Sequence, residues 1–282
     1  MEKLLFFDID GTLAYPRSNP SSATVEAIRS ARAEGHKVFI STGRTRESVP
    51  EAVTEIGFDG GIFSAGGLAV CGDIVVCRCF MPDSLVQRVR SLLCDDTIFY
   101  KLETAEGIFT SENGREILAQ IDISKAGSEM QRFYEDLFFN KKLRPISQYG
   151  GQPVYKISFF STDRTTVEHL DALLQGSAKV VFFENLVRDF PLTSGEISDF
   201  SVNKGLALRN ICRYLGKTES DCIAFGDSMN DEEILKAAGL GIAMGNAEER
   251  LKALADMVCD SCENDGLAKA LHALNLTSPE IG

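Results

Sequence analysis

The apolar run Leu4-Leu5-Phe6-Phe7 leads directly into Asp8-Ile9-Asp10-Gly11-Thr12-Leu13. A short run with no polar member reads as a strand buried on both faces, the kind found inside a parallel sheet covered by helices. Two carboxylates then leave the strand end at positions i and i+2, which share a face at strand spacing. Gly11 permits a sharp turn just beyond them. Two anions about 4 Å apart at an effective dielectric near 20 repel by roughly 4 kcal/mol. Repulsion of that size at a strand end requires a cation. Mg²⁺ suits the position, because it takes carboxylate oxygens together with the oxygens of a phosphate.

The pattern of apolar run followed by polar end recurs along the chain. Ser21 or Ser22 caps a predicted helix through Val25, Ile28 and Ala31 that stops at Gly35. Lys37–Ser41 reads as a second strand ending at Thr42-Gly43-Arg44, a helix with Val49, Val53 and Ile56 follows, and Gly61–Ser64 reads as a third strand. Further on, a helix over Lys204–Leu215 has Leu208, Ile211, Cys212 and Leu215 on one face and Gly216 as its stop. Strands at Cys222–Phe225 and Gly241–Met244 come next. This order predicts an α/β fold with a doubly wound, mostly parallel sheet. The middle of the chain differs: strands at Thr97–Tyr100, Val154–Phe160 and Lys179–Phe183 alternate with helices at Ser84–Leu93, Glu129–Phe139 and Thr165–Leu174, and the loops are longer. It reads as an inserted α+β domain over residues 83–189, with residues 1–82 and 190–282 forming the core.

A net charge of −12 argues against general binding to nucleic acid or a membrane surface, both of which need basic patches. An anionic substrate must then be held locally, by a metal, a few cations and backbone N–H groups. No apolar run reaches the length of a membrane span, and the first strand begins too soon after Met1 to leave room for a signal peptide. A cytoplasmic location is the expectation, with the eight cysteines reduced. Cys259-Asp260-Ser261-Cys262 is the one C-x-x-C, and it lacks the second ligand pair of a zinc site. His36, His169 and His272 lie outside every motif.

Ligands of open α/β sheets bind beyond the carboxyl ends of the strands. Asp8 with Asp10, Thr42 with Arg44, and Asp227 with Asn230 and Asp231 all fall at such ends. Each group alone has an ordinary reading as turn, cap or helix-dipole residues; their convergence points to one active site. Lys204 adds a cation in the first turn of a helix, where it opposes the dipole by about 0.3–1 kcal/mol unless an anion compensates.

These residues resemble the four motifs of the haloacid dehalogenase-like phosphatases, in the family's order: Asp8-x-Asp10-Gly11-Thr12, Thr42-Gly43-Arg44, Lys204-Gly205, and Gly226-Asp227-Ser228-Met229-Asn230-Asp231. Ala243-Met244-Gly245-Asn246-Ala247 and Asn264-Asp265-Gly266 are similar to the Cof-type branch, in which an α+β cap is inserted between the second and third motifs. The resemblance implies that Asp8 is a nucleophile giving an aspartyl-phosphate and that Asp10 is the acid–base, the more acid-like of the two. It implies that Thr42, Gly43, Lys204 and Asn230 bind phosphate or substrate, and that Mg²⁺ is held by Asp8, Asp10 (through its carbonyl), Asp227 and Asp231. Arg44 fits the pattern with two open roles, touching substrate or bracing its loop. The family often has Asn-Gly after the third strand; here Ala65-Gly66 stands there.

The implied function is Mg²⁺-dependent hydrolysis of small phosphomonoesters such as sugar phosphates, with a cap that excludes water. The expected partner is a small phosphorylated metabolite, with no nucleic acid or membrane, and the protein a monomer or homodimer. The alternatives are a phosphomutase using the same phospho-aspartate, or a non-catalytic protein that binds phosphorylated metabolites.

Overall fold

The computed structural model describes residues 1–15, 18–119, 143–174, 176–183 and 192–278, together with Asp122, Gln131, Tyr134, Leu137 and Phe138. Two compact units emerge. One comprises Met1–Arg78 and Asn203–Gly282, the other Cys79–Val202. The first contributes strands β1 (Leu4–Phe7), β2 (Lys37–Ser41), β3 (Gly60–Phe63), β4 (Leu68–Cys71) and β5 (Ile74–Arg78). The second contributes β6 (Ile98–Thr104), β7 (Gly107–Thr110), β8 (Leu143–Pro145), β9 (Val154–Ser161), β10 (Lys179–Phe183) and β11 (Thr193–Ser198). The chain then returns to the first unit with β12 (Cys222–Gly226), β13 (Leu240–Ala243) and β14 (Met257–Val258).

The first unit is a sheet in the order β14-β13-β12-β1-β2-β3-β4-β5. β1 pairs in parallel with both β2 and β12. Chain order therefore runs outward from β1 on both sides, and the reversal leaves a crevice at its carboxyl end. Every residue of β1 is buried, as a central parallel strand requires. Its phenylalanines alternate between faces: Phe6 stacks on Phe39 at 5.0 Å and Phe7 on Phe225 at 5.3 Å. The helix Ser22–Ala33 starts at Ser21, whose side chain accepts from the Thr24 N–H, and buries the stripe Thr24, Ala27, Ile28 and Ala31. The helix Lys204–Leu215 is capped by Asn203 and ends at Gly216 in the left-handed conformation, an ending glycine adopts without a Cβ penalty.

The sequence reading missed the antiparallel pair β4–β5 at one edge. β5 is largely exposed, so it lacks the apolar continuity that marks the parallel strands. The helix expected around Val49–Ile56 is shorter, Glu51–Thr54 after a single turn at Arg46–Ser48, because Pro50 occupies its N-cap.

The second unit is a sheet in the order β10-β11-β9-β6-β7-β8, antiparallel except for β7 with β8. Tyr100, Leu102, Ile157, Phe159 and Ile197 join a core with Leu85, Val86 and Val89 of the helix Asp83–Leu92. The helix expected over Thr165–Leu174 is two short ones, Arg164–Val167 and Leu170–Leu174. Most of the helix expected at Glu129–Phe139 lies outside the described residues, as does the expected boundary at 189/190. The two units divide at Arg78/Cys79 and Val202/Asn203, and Thr193–Ser198 is paired in the second unit's sheet. Among the described residues no helix is long and apolar enough to cross a membrane.

Candidate active site

The carboxyl ends of β1, β2 and β12 meet at the switch point, and each delivers polar residues there. Asp8 follows β1, and its N–H donates to the Phe225 carbonyl of β12 at 3.1 Å. Gly11 has φ +89°, and a Cβ on it would lie 2.1 Å from Asp227 Oδ2. The glycine is thus required twice, by its torsion and by the approach of the Asp227 carboxylate. Asp227 follows β12 and is buried.

Lys204 joins these elements. Its Nζ donates to Asp8 Oδ1 at 3.0 Å, to Asn230 Oδ1 at 3.0 Å and to Asp231 Oδ1 at 2.6 Å. The lysine is 1% exposed. Gly205 lets its helix approach the backbone of the following helix, since a Cβ there would meet the Glu233 carbonyl oxygen at 2.4 Å. Burial alone pulls the Lys204 ammonium down, but the Asp231 and Asp8 carboxylates hold it well above its ordinary range. Asp8 moves up as well, chiefly through burial, which outweighs the opposing pull of Lys204; Asp231 and Asp10 add to the rise.

Asp10 is held differently. Arg44 Nε donates to its Oδ2 at 2.8 Å and Arg44 Nη2 to its Oδ1 at 2.6 Å, both side chains being buried. This bidentate fork is the strong form of the interaction. Arg44 Nη1 also reaches the Ser48 carbonyl at 3.3 Å, so the loop-bracing role is met by visible contacts. Thr42 is buried after β2, and its Oγ1 accepts from the Arg44 N–H at 3.1 Å. Gly43 is buried between them.

Asp231 does most to organise the third cluster. Its Oδ2 accepts from the N–H groups of Asp227 at 3.1 Å and Ser228 at 3.3 Å, within a reciprocal capping arrangement with Ser228. Oxygens of Asp8, Asp227 and Asp231 lie within 4.8 Å of one another, and all three residues are buried. Three hard oxygen donors in a dry site, with one already pushed up by burial, fit a divalent cation of the Mg²⁺ type. The Asp10 carboxylate sits in the Arg44 fork and is not one of this trio.

Four residues were missed as site residues. Asn246 Nδ2 donates to the Gly11 carbonyl at 2.8 Å, and its Oδ1 accepts from the Cys262 N–H at 2.8 Å, tying the Asp8–Thr12 loop to a distant segment. Its place after β13 was the available signal. The hydroxyls of Thr12, Ser41 and Ser64 are buried without a hydrogen-bond partner, although such groups are normally satisfied. Short hydroxyl residues are too common in sequence to signal this.

A doubly wound sheet with an α+β insertion and a buried carboxylate–lysine cluster at its switch point defines a class of α/β enzymes. A family model described as haloacid dehalogenase-like hydrolase matches residues 5–271. Phosphatase YwpJ of Bacillus subtilis strain 168 is 28% identical over 291 residues, covering 96% of this chain and 99% of that protein. An HMP-PP phosphatase of Yersinia pseudotuberculosis is 27% identical over 292 residues, covering 100% and 98%. The solved structure of a haloacid dehalogenase-like hydrolase from B. subtilis has a TM-score of 0.82 at 25% identity, covering 96% and 99% of the two chains. The HAD subclass IIB sugar phosphatase BT4131 shares the fold, with a TM-score of 0.81 at 24% identity over 97% and 99%. The chain belongs to the haloacid dehalogenase-like hydrolases. It is a phosphoric monoester hydrolase.

Proposed function

We propose that this hydrolase cleaves phosphomonoesters of small metabolites, sugar phosphates foremost, through an aspartyl-phosphate on Asp8. The observation that carries the reading is the buried cluster in which Lys204 Nζ bridges Asp8 and Asp231 while Asp227 stands alongside. An Asp8 oxygen attacks phosphorus, and the bond from phosphorus to the leaving oxygen breaks. Asp10 gives its proton to that oxygen, then takes one from the water that attacks the phospho-aspartate and frees Asp8. To carry the proton, Asp10 must turn an oxygen out of the Arg44 fork, so Arg44 is a positioning residue. Lys204 and Thr42 meet the non-bridging oxygens, with Gly43 leaving room for the phosphoryl group and Asn230 orienting Lys204.

Mg²⁺, when bound, supplies charge neutralisation for the transferring phosphoryl group. Asp8 and Asp227, the Asp10 carbonyl and Asp231 are the groups that would hold it. The relatives' names support the substrate class: one is a sugar phosphatase and another an HMP-PP phosphatase. The test is phosphate release across sugar phosphates, nucleotides and phosphorylated cofactors. Activity should vanish with EDTA and return with Mg²⁺; turnover indifferent to both would overturn the metal reading.

A further inference from the structure

Cys212 stands in the last turn of the helix Lys204–Leu215, and Cys222 opens β12. Their Sγ atoms lie 3.2 Å apart, and both residues are almost fully buried. They are free thiols. A disulfide needs an Sγ–Sγ distance of about 2.05 Å, so closing the bridge takes a movement of about an ångström. Between the two runs the turn Gly216–Asp221, in which Gly216, Thr218 and Ser220 are exposed. Cys222 Sγ also approaches the Thr218 carbonyl of this turn, at 3.6 Å. Both cysteines belong to the core cluster with Leu208 and Ile211, so an oxidant reaches them through a local opening.

We propose that Cys212 and Cys222 form an oxidisable dithiol, converted by a hydroperoxide to a disulfide that thiols reduce again. The Cys212 thiolate attacks one peroxide oxygen; the O–O bond breaks, leaving a sulfenic acid on Cys212 and releasing water. The Cys222 sulfur attacks the Cys212 sulfur; the S–S bond forms, the S–O bond breaks, and the hydroxide departs as water with the Cys222 proton. Two thiols and one hydrogen peroxide become one disulfide and two waters. Cys212 is the attacking member, because its contact with the Cys222 sulfur at 3.2 Å holds it below its usual range. The same contact, followed by burial, holds Cys222 above its own range. A resolving thiol in contact stops oxidation at the reversible stage.

The C-x-x-C pair is the internal contrast. Cys259 Sγ contacts Met244 Sδ at 3.5 Å. Burial pushes Cys259 up to about 11 and Cys262 to about 12, which starves both of thiolate.

The experiment exposes the intact protein to hydrogen peroxide, alkylates it in denaturant and maps its peptides by mass spectrometry. A Cys212–Cys222 cross-linked peptide, lighter by two hydrogens and lost on dithiothreitol treatment, is the expected result. Cys222→Ala should convert the outcome to a sulfenic acid on Cys212 that dimedone traps. The wild-type map decides the matter if that variant does not fold. Full alkylation of both thiols after peroxide has oxidised exposed Cys94, or irreversible sulfinic acid on Cys212, would overturn the proposal.

Discussion

The two units each bury a cluster of charges, and the clusters are built on opposite terms. In the first, Asp8, Asp10, Asp227 and Asp231 outnumber Lys204 and Arg44. The four aspartates lie beyond strand ends, and Ser64 and Ala65 beside Thr42 have left-handed backbone. In the second, Lys101 and Lys156 are matched by Glu103 and Glu196, all within strands and all buried. Lys156 bonds Glu196 and lies 3.7 Å from Glu103, and Lys101 lies 3.3 Å from Glu103. The second cluster matches its charges one for one, although Glu103 Oε2 is buried without a hydrogen-bond partner. The unbalanced one carries an excess of buried negative charge, and strain and excess charge together are expected where a fold serves chemistry.

Replacing one charge in each cluster tests this difference. Asp8→Asn should lower phosphate release by about 10⁴-fold or more. It should leave the metal-free protein as stable to urea as before, or more so, because burial penalises the Asp8 charge. Retained turnover would remove Asp8 as nucleophile. In the second unit Lys156→Met should cost roughly 3–5 kcal/mol of stability, since it strands buried carboxylates. Adding Glu196→Leu should recover most of that loss, because a paired removal leaves no lone charge. A double variant no better than the single would show that the second cluster is not a balanced pair network.

Arg44→Lys keeps the charge and removes the fork. A drop in kcat of about 10–100-fold with KM little changed is expected for a group that positions another, accompanied by a shifted pH–rate profile. A pure KM effect would instead mean that Arg44 touches substrate.

What was legible in sequence follows from where the free energy lies. β1, β2, β12 and the helix Lys204–Leu215 are unbroken apolar runs or stripes, and their ends could be read from Asp8, Thr42, Asp227 and Gly216. The gathering of these ends could be inferred from topology alone. The bond between Arg44 and Asp10 could not, because it joins residues 34 apart through side-chain orientation. Nor could the second unit's charge cluster. Lys101 and Glu103, like Lys156 and Ser158, alternate with apolar neighbours as in any half-exposed strand, and only the fold shows that their polar face is buried.

The smallest expected effect concerns the strained backbone beside Thr42. Ala65 has φ 56° and ψ 27°, a region an alanine enters at a cost of about 1–2 kcal/mol and asparagine enters more readily. The Ala65 N–H donates to the Thr42 carbonyl at 3.1 Å, and the Ser64 N–H to the Arg44 carbonyl at 2.8 Å. The torsion is thus held by the loop that carries two site residues. Gly66 follows with φ +105°, and a Cβ there would lie 2.3 Å from the Asn203 carbonyl carbon, so the turn is also fixed against the start of the Lys204 helix. Ala65→Asn should therefore stabilise the protein by about 0.5–1 kcal/mol, read as a higher urea midpoint at unchanged slope. Ala65→Gly should relieve the same torsion but return part of the gain through the freer unfolded chain. A destabilising Ala65→Asn would mean that the loop carries no torsional strain, and the site would then differ from the second cluster in charge alone.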